Sequence, residues 1–293
     1  MRRARGAFAA ALLAAVLAGC TPAASTPDET PAAPTPTPTE VRPAIIDEVT
    51  RIVVLGDSVT LGVNACPAED RICGSASWAT GNAEVDSLAV RAAAQNPAVE
   101  VQSLARDGAR LSTALGNLDH VVGEHAQLAI VFLGANDACA PSLGEMTEPE
   151  QFRDELGQLL DALAADTDPE VLLVEVPDLE NVWEQGHGNG RALRVWASTP
   201  ACRSLLADAE DTGPAAEARR AAVSDRVEAF NTVIEDVCAA RPRCTTDGGA
   251  VHDHPFRSPE LSSIDYFHPS EDGQRVVAEL IWAALARVPS GTP

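Results

Sequence analysis

The feature that most constrains this fold is a set of short apolar runs cut off by glycine or proline. Arg51-Ile52-Val53-Val54-Leu55 stops at Gly56, Leu128–Leu133 stops at Gly134, and Val171–Val176 stops at Pro177. Ala98–Leu104 alternates polar with apolar residues and makes a fourth run. Runs this short with hard stops predict strands. Between and after them, apolar residues recur at helical spacing: Phe152, Leu156, Leu159, Leu160 and Leu163, then Val223, Val227, Phe230, Ile234 and Val237. Val276, Val277, Leu280, Ile281 and Leu285 predict a last helix over about residues 270–287, with Pro269 suited to its first turn. Strands that are apolar throughout need cover on both faces. Their alternation with amphipathic helices predicts an α/β fold with a mainly parallel sheet between helical layers.

Only the middle of the 293-residue chain carries this pattern. Residues 1–19 place Arg2, Arg3 and Arg5 before an apolar stretch from Ala7 to Leu17, the layout of a secretory signal and too short for a bilayer span. Leu17-Ala18-Gly19-Cys20 resembles the lipobox of bacterial lipoproteins, which implies lipidation of Cys20. Residues 20–44 form the expected lipidated cysteine and linker: seven of the 23 residues from 21 to 43 are proline, with no apolar period. Extended like polyproline, that stalk would reach about 70 Å. The folded domain is expected over 45–288, followed by a disordered tail over 289–293.

Acidic residues outnumber basic ones 43 to 21, a balance of −22 that becomes −25 once residues 1–19 and their three arginines are removed. Such a chain has no footprint for a phosphate backbone, so nucleic acid is excluded as a partner. An apolar content of 45% excludes a wholly disordered protein. Seven cysteines is an odd number, and lipidation of Cys20 leaves six: Cys66, Cys73, Cys139, Cys202, Cys238 and Cys244. An even set in an exported chain predicts disulfides. Six cysteines allow fifteen pairings; proximity favours Cys66 with Cys73 and Cys238 with Cys244, leaving Cys139 for Cys202.

In open α/β sheets the ligand crevice lies beyond the carboxyl ends of the strands. The residues there are Gly56-Asp57-Ser58-Val59-Thr60-Leu61-Gly62, Ala105–Arg110 and Gly134-Ala135-Asn136-Asp137-Ala138-Cys139, with Asp265-Tyr266-Phe267-His268-Pro269 before the last helix. Acyl transfer needs an activated hydroxyl, a base, a group that orients the base, and donors for the developing oxyanion. Ser58 enters a helix, so its hydroxyl and its N–H can both face the crevice. Gly108 can bring a backbone N–H close, and Asn136 carries an amide donor. Of the six histidines, His268 alone has an aspartate, Asp265, three residues before it. That spacing lets the carboxylate hold Nδ1 while Nε2 faces the serine. His252-Asp253-His254 is either a metal pair or a polar surface loop, and no metal is assigned.

These four blocks, in this order, resemble the GDSL, or SGNH, hydrolases over residues 51–285. The resemblance implies a three-layer α/β/α sandwich with a flavodoxin-like sheet. It implies Ser58 as nucleophile, His268 as base and Asp265 as its orienter, with Ser58 N–H, Gly108 N–H and Asn136 as oxyanion hole. Val59 stands where the family name has leucine. Arg106-Asp107-Gly108-Ala109-Arg110 departs from the usual Ser- or Gly-rich second block, and its arginines either bind an anionic group or pair with nearby acids. Val176–Trp183 looks like a segment of the phospholipase-B-like branch, and six cysteines pairing in order look like secreted actinobacterial members. Trp183 and Trp196 either line an acyl or head-group pocket or simply pack.

The expected function is that of an extracytoplasmic, lipid-anchored serine esterase or lipase working through an acyl-enzyme on Ser58, without metal or organic cofactor. Its partner is an acyl ester, lipid or acylated glycan; it touches the membrane through Cys20 only and is monomeric. The rivals are a carbohydrate O-acetyl esterase acting on cell-envelope glycans and a non-catalytic binding lipoprotein on the same scaffold. The motifs alone do not separate the two esterases.

Overall fold

The computed structural model describes residues 41–290 apart from Glu69 and Pro200. The expected signal peptide, Cys20 and the linker up to residue 40 lie outside the described residues. Five strands form one sheet: β1 (Arg51–Gly56), β2 (Glu100–Ser103), β3 (Leu128–Phe132), β4 (Glu170–Leu173) and β5 (Cys244–Thr246). Their order is β2-β1-β3-β4-β5 and every neighbouring pair is parallel. This is the flavodoxin order, with its switch point between β1 and β3.

The helices among the described residues are α1 (Ser58–Leu61), α2 (Leu88–Gln95), α3 (Leu111–Leu115), α4 (Leu118–Gly123), α5 (Ala135–Ala138), α6 (Pro149–Asp166), α7 (Leu179–Gly186), α8 (Gly190–Ser198), α9 (Arg203–Leu206), α10 (Pro214–Ala239) and α11 (Glu271–Leu285). Strand residues alternate between two cores. Val53, Leu55, Ala129, Val131 and Leu173 pack with Leu156 of α6 and Phe230 of α10. Ile52, Val54, Leu128, Ile130 and Leu172 pack with Leu88 of α2 and Ile281 of α11. Both faces are therefore covered, as the continuous apolar runs demand. Each of the Val, Leu, Ile and Phe side chains contributes about 1.5–3 kcal/mol on burial. Phe152 of α6 stacks on Phe230 of α10 with ring centroids 4.1 Å apart.

Three local differences from the sequence expectations have physical causes. The edge strand β5 was not expected, because Cys-Thr-Thr is short, half-buried and lacks an apolar run. Pro269 does not enter α11. Ser270 caps that helix by accepting from the Gly273 N–H, and the proline stays outside. The chain joins the domain at Val41 rather than Ile45, since the Val41 carbonyl accepts from Trp282 Nε1 and the Pro43 carbonyl from Gln95 Nε2. Disulfides join Cys66 to Cys73 and Cys238 to Cys244, the two pairs that proximity favours, and Cys139 to Cys202, the pair left over.

Candidate active site

The turn out of β1 is tight. A Cβ at Gly56 would stand 2.1 Å from Thr60 Oγ1, so only glycine lets the chain bend into α1 here. Asp57 caps α1, its Oδ1 accepting from the Val59 N–H at 2.9 Å. Ser58 is the first residue of the helix and 6% exposed. Its N–H has no hydrogen-bond partner among the described residues.

Ser58 Oγ lies 2.9 Å from His268 Nε2, and His268 Nδ1 lies 2.6 Å from Asp265 Oδ2. An ionised Asp265 accepts from Nδ1–H, which leaves Nε2 to accept the serine proton. Asp265 Oδ1 accepts from the backbone N–H groups of Phe267 and His268 at 3.0 and 3.1 Å. Asn64 Nδ2 donates to Asp265 Oδ2 at 2.5 Å. Burial alone would raise the Asp265 pKa. The hydrogen bond and charge of His268 and the amide of Asn64 outweigh that and hold the carboxyl below its usual range.

The remaining expected donors approach from β2 and β3. Gly108 has φ of +72°, and no atom lies within 4 Å of where its Cβ would stand. The left-handed backbone, rather than crowding, calls for glycine there. Its N–H is also without a partner among the described residues. Asn136, in α5, donates through Nδ2 to Asp57 Oδ2 at 3.0 Å and to the Ala109 carbonyl at 3.1 Å. Both amide protons are thus engaged, and an oxyanion would have to share or displace one of these acceptors. Asp57 is 3% exposed. Burial pushes its pKa up to about 6, in spite of the Val59 N–H.

A cavity of about 60 Å³ opens beside Ser58 and His268. Phe132, Val182, Phe256, Leu261 and Val277 give it apolar walls, and Asp178 and Asn181 add polar groups. Asn181 is 7% exposed, and its buried Oδ1 has no partner among the described residues. Sequence reasoning missed both Asn64 and Asn181. Neither has a local signal: Asn64 matters through a residue 201 positions away, and Asn181 looks like any first-turn helix residue.

Other expectations fall elsewhere. Trp196 Nε1 donates to the Asp265 carbonyl, and Trp183 lies under the Arg220 guanidinium at 3.8 Å, so both pack and neither lines the cavity. Arg106 and Arg110 form no ion pair among the described residues; Asp107 pairs with Arg71 instead. His252 turns to the Val176 carbonyl and Glu228, and His254 to Glu260, so the two do not converge. Among the described residues, the cysteine, histidine and carboxylate groups that do converge are Cys66, Cys73 and Glu271, and those sulfurs are already joined.

Residues 54–276 match the model of the GDSL-like lipase/acylhydrolase family. No curated protein matches the chain. Among solved structures, a catalytic mutant of an acetylxylan esterase from Geobacillus stearothermophilus is 11% identical with a TM-score of 0.50, covering 83% of this chain and 97% of its own. A lipase/acylhydrolase from Enterococcus faecalis is 18% identical with a TM-score of 0.48, covering 84% of this chain and all of its own. An extracellular lipase from Streptomyces rimosus is 18% identical with a TM-score of 0.48, covering 80% of this chain and all of its own. At these identities the likeness is one of fold.

Proposed function

The chain belongs to the GDSL-like lipase/acylhydrolase family, whose members cut carboxylic esters, and from that premise we propose that it is an extracytoplasmic, lipid-anchored serine esterase of short acyl chains. The observation that carries this reading is the unbroken relay from Ser58 Oγ through His268 to Asp265, at 2.9 and 2.6 Å. Ser58 Oγ attacks the ester carbonyl carbon as its proton passes to His268 Nε2. The oxyanion that forms takes hydrogen bonds from the free N–H groups of Ser58 and Gly108 and from the Asn136 amide. His268 returns the proton to the departing alcohol oxygen, leaving an acyl ester on Ser58. A water molecule then gives a proton to His268 Nε2 and attacks the acyl carbon, and the acid is released as the bond to Ser58 Oγ breaks and His268 returns the proton to Oγ. Asp265 keeps Nδ1 protonated throughout and stabilises the imidazolium.

The cavity supports the short chain. About 60 Å³ is less than half of the ~150 Å³ that admits a benzene ring. A pocket of this size beside Ser58 suits an acetyl or propionyl group. The same volume favours the second reading, a carbohydrate O-acetyl esterase, because Asp178 and Asn181 offer polar contacts beside the apolar wall. Placement in the phospholipase-B-like, actinobacterial branch rests on the sequence of Val176–Trp183, a segment that also supplies Pro177, Leu179 and Val182 to that wall. The lipidated anchor and export rest on residues 1–20 together with three disulfides, which persist in oxidising compartments.

A panel of p-nitrophenyl esters from acetyl to palmitoyl tests the reading. Activity should peak at the shortest chains and be abolished in Ser58→Ala. A peak at long chains would overturn the short-chain reading, and a wild-type rate in Ser58→Ala would overturn the mechanism. Acetylated xylan or peptidoglycan fragments, added to the panel, separate the glycan reading from a general esterase.

A further inference from the structure

We infer that Asn64 is a positioning residue of this site, held in place by the Cys66–Cys73 loop and in turn holding the Asp265 carboxylate against His268. The inference rests on Ser58 and His268 being nucleophile and base. Asn64 is 9% exposed and sits at φ of +54°, a left-handed conformation that asparagine tolerates better than most residues. Its backbone is fixed on both sides. Its N–H donates to the Arg71 carbonyl at 2.7 Å, and its carbonyl accepts from Ser262 Oγ at 2.6 Å. Val63 bridges Ile72, the Cys73 N–H donates to the Gly62 carbonyl, and the disulfide closes the loop.

The amide thus stands at one point, and from there Nδ2 reaches Asp265 Oδ2 at 2.5 Å, the oxygen that also faces His268 Nδ1. Each Asp265 oxygen has two donors: two backbone N–H groups on Oδ1, and His268 and Asn64 on Oδ2. Remove Asn64 and Oδ2 keeps only the imidazole, so the carboxylate stays anchored through Oδ1 but is held less firmly on the line that His268 needs. The other charged groups around the pair are Asp57, whose charge reaches His268, the mutually paired Arg71 and Asp107, and Glu271 beside the disulfide.

Two substitutions test this in the full-length protein with p-nitrophenyl acetate, rates being normalised to the folded fraction by circular dichroism. Asn64→Gly accepts the positive φ and removes only the amide. It should lower kcat about tenfold, the scale of a hydrogen bond to a charged group, and leave KM unchanged. Asn64→Asp keeps the shape but replaces a donor by a second carboxyl. Protonated, that carboxyl can donate to Asp265; ionised, it repels it. The ratio of variant to wild-type kcat should therefore be highest at the acid end of the profile and fall as pH rises. A wild-type kcat in Asn64→Gly, or a ratio for Asn64→Asp that is flat with pH, would overturn the inference. Ser58→Ala in the same assay keeps the two failures apart. If it retains activity, the nucleophile is wrong; if it is inactive while the Asn64 variants behave as wild type, only the role of Asn64 is.

Discussion

Asp57→Asn should separate stability from activity at this site. Asp57 is buried with its carboxylate between the Val59 N–H and the Asn136 amide. Burial raises its pKa from 3.8 to about 6. A carboxyl whose pKa is raised on folding stabilises the protein most below its unfolded pKa, and that contribution drains away as pH rises through 6. The gap amounts to about 3 kcal/mol against the wild type at pH 8, roughly half of it incurred between pH 5 and 8. Asparagine carries no such charge, so the penalty disappears. Its oxygen can still cap α1, but its NH₂ faces the NH₂ of Asn136, and a hydrogen bond to a charged acceptor, worth about 1.5–3 kcal/mol, is lost. The penalty that the substitution removes is about 3 kcal/mol at pH 8 and about half of that at pH 5, whatever the fixed cost of the altered contact with Asn136. Relative to wild type, the Tm of Asp57→Asn should thus be about 3–6 °C better at pH 8 than at pH 5. Activity should not recover with stability. Asn136 loses its anchor, and a misaligned oxyanion donor costs about 10²-fold or more in kcat. Thermal unfolding at the two pH values and initial rates on p-nitrophenyl acetate at pH 8 are the assays. An equal Tm deficit at both pH values would refute the desolvation argument. A wild-type kcat would refute the claim that Asp57 orients Asn136.

Further predictions address the walls and the tether. Replacing Cys139 and Cys202 together by serine opens a bridge across 63 residues and should cost about 2–4 kcal/mol, read as a lower Tm under non-reducing conditions. Phe256→Ala enlarges the cavity: the acyl-chain optimum should move to longer esters, while stability drops by about 3–5 kcal/mol in chemical denaturation. An unchanged chain-length profile would mean that the acyl group does not enter there. Cys20→Ala should move the protein from the membrane to the soluble fraction with its esterase rate on a water-soluble substrate intact.

The parts of this fold that the sequence makes legible are those written in local pattern. Ile52 to Leu55 and Leu128 to Phe132 are apolar throughout because alternate residues feed opposite cores, and the glycines after them mark where the chain must turn at the crevice. Ser58, Gly108 and Asn136 are visible because each stands beyond the end of a strand, and His268 because Asp265 stands three residues before it. What stays hidden depends on distant partners. The edge strand β5 has no apolar signature; its pairing with β4 and the disulfide to α10 define it. Asn136 reads as a free donor in sequence, yet its protons are already engaged by Asp57 and Ala109, which only the folded switch point brings near.

The disulfides show why these hidden contacts matter. Asn64 lies two residues before Cys66, and Asn136 three residues before Cys139. The elements bearing these amides are a left-handed turn and the four-residue α5, each too short to hold itself by helical hydrogen bonding. Each is bonded covalently to a neighbouring segment, and from there its amide reaches a buried carboxylate, Asp265 or Asp57. The two carboxylates then diverge. Asp265, with donors on both oxygens, stays ionised and serves the base; Asp57, penalised by burial, holds Asn136 at a cost that grows with pH. Reduction of the bridges should therefore lower kcat before it unfolds the domain, because the short loops loosen while both helical layers remain packed.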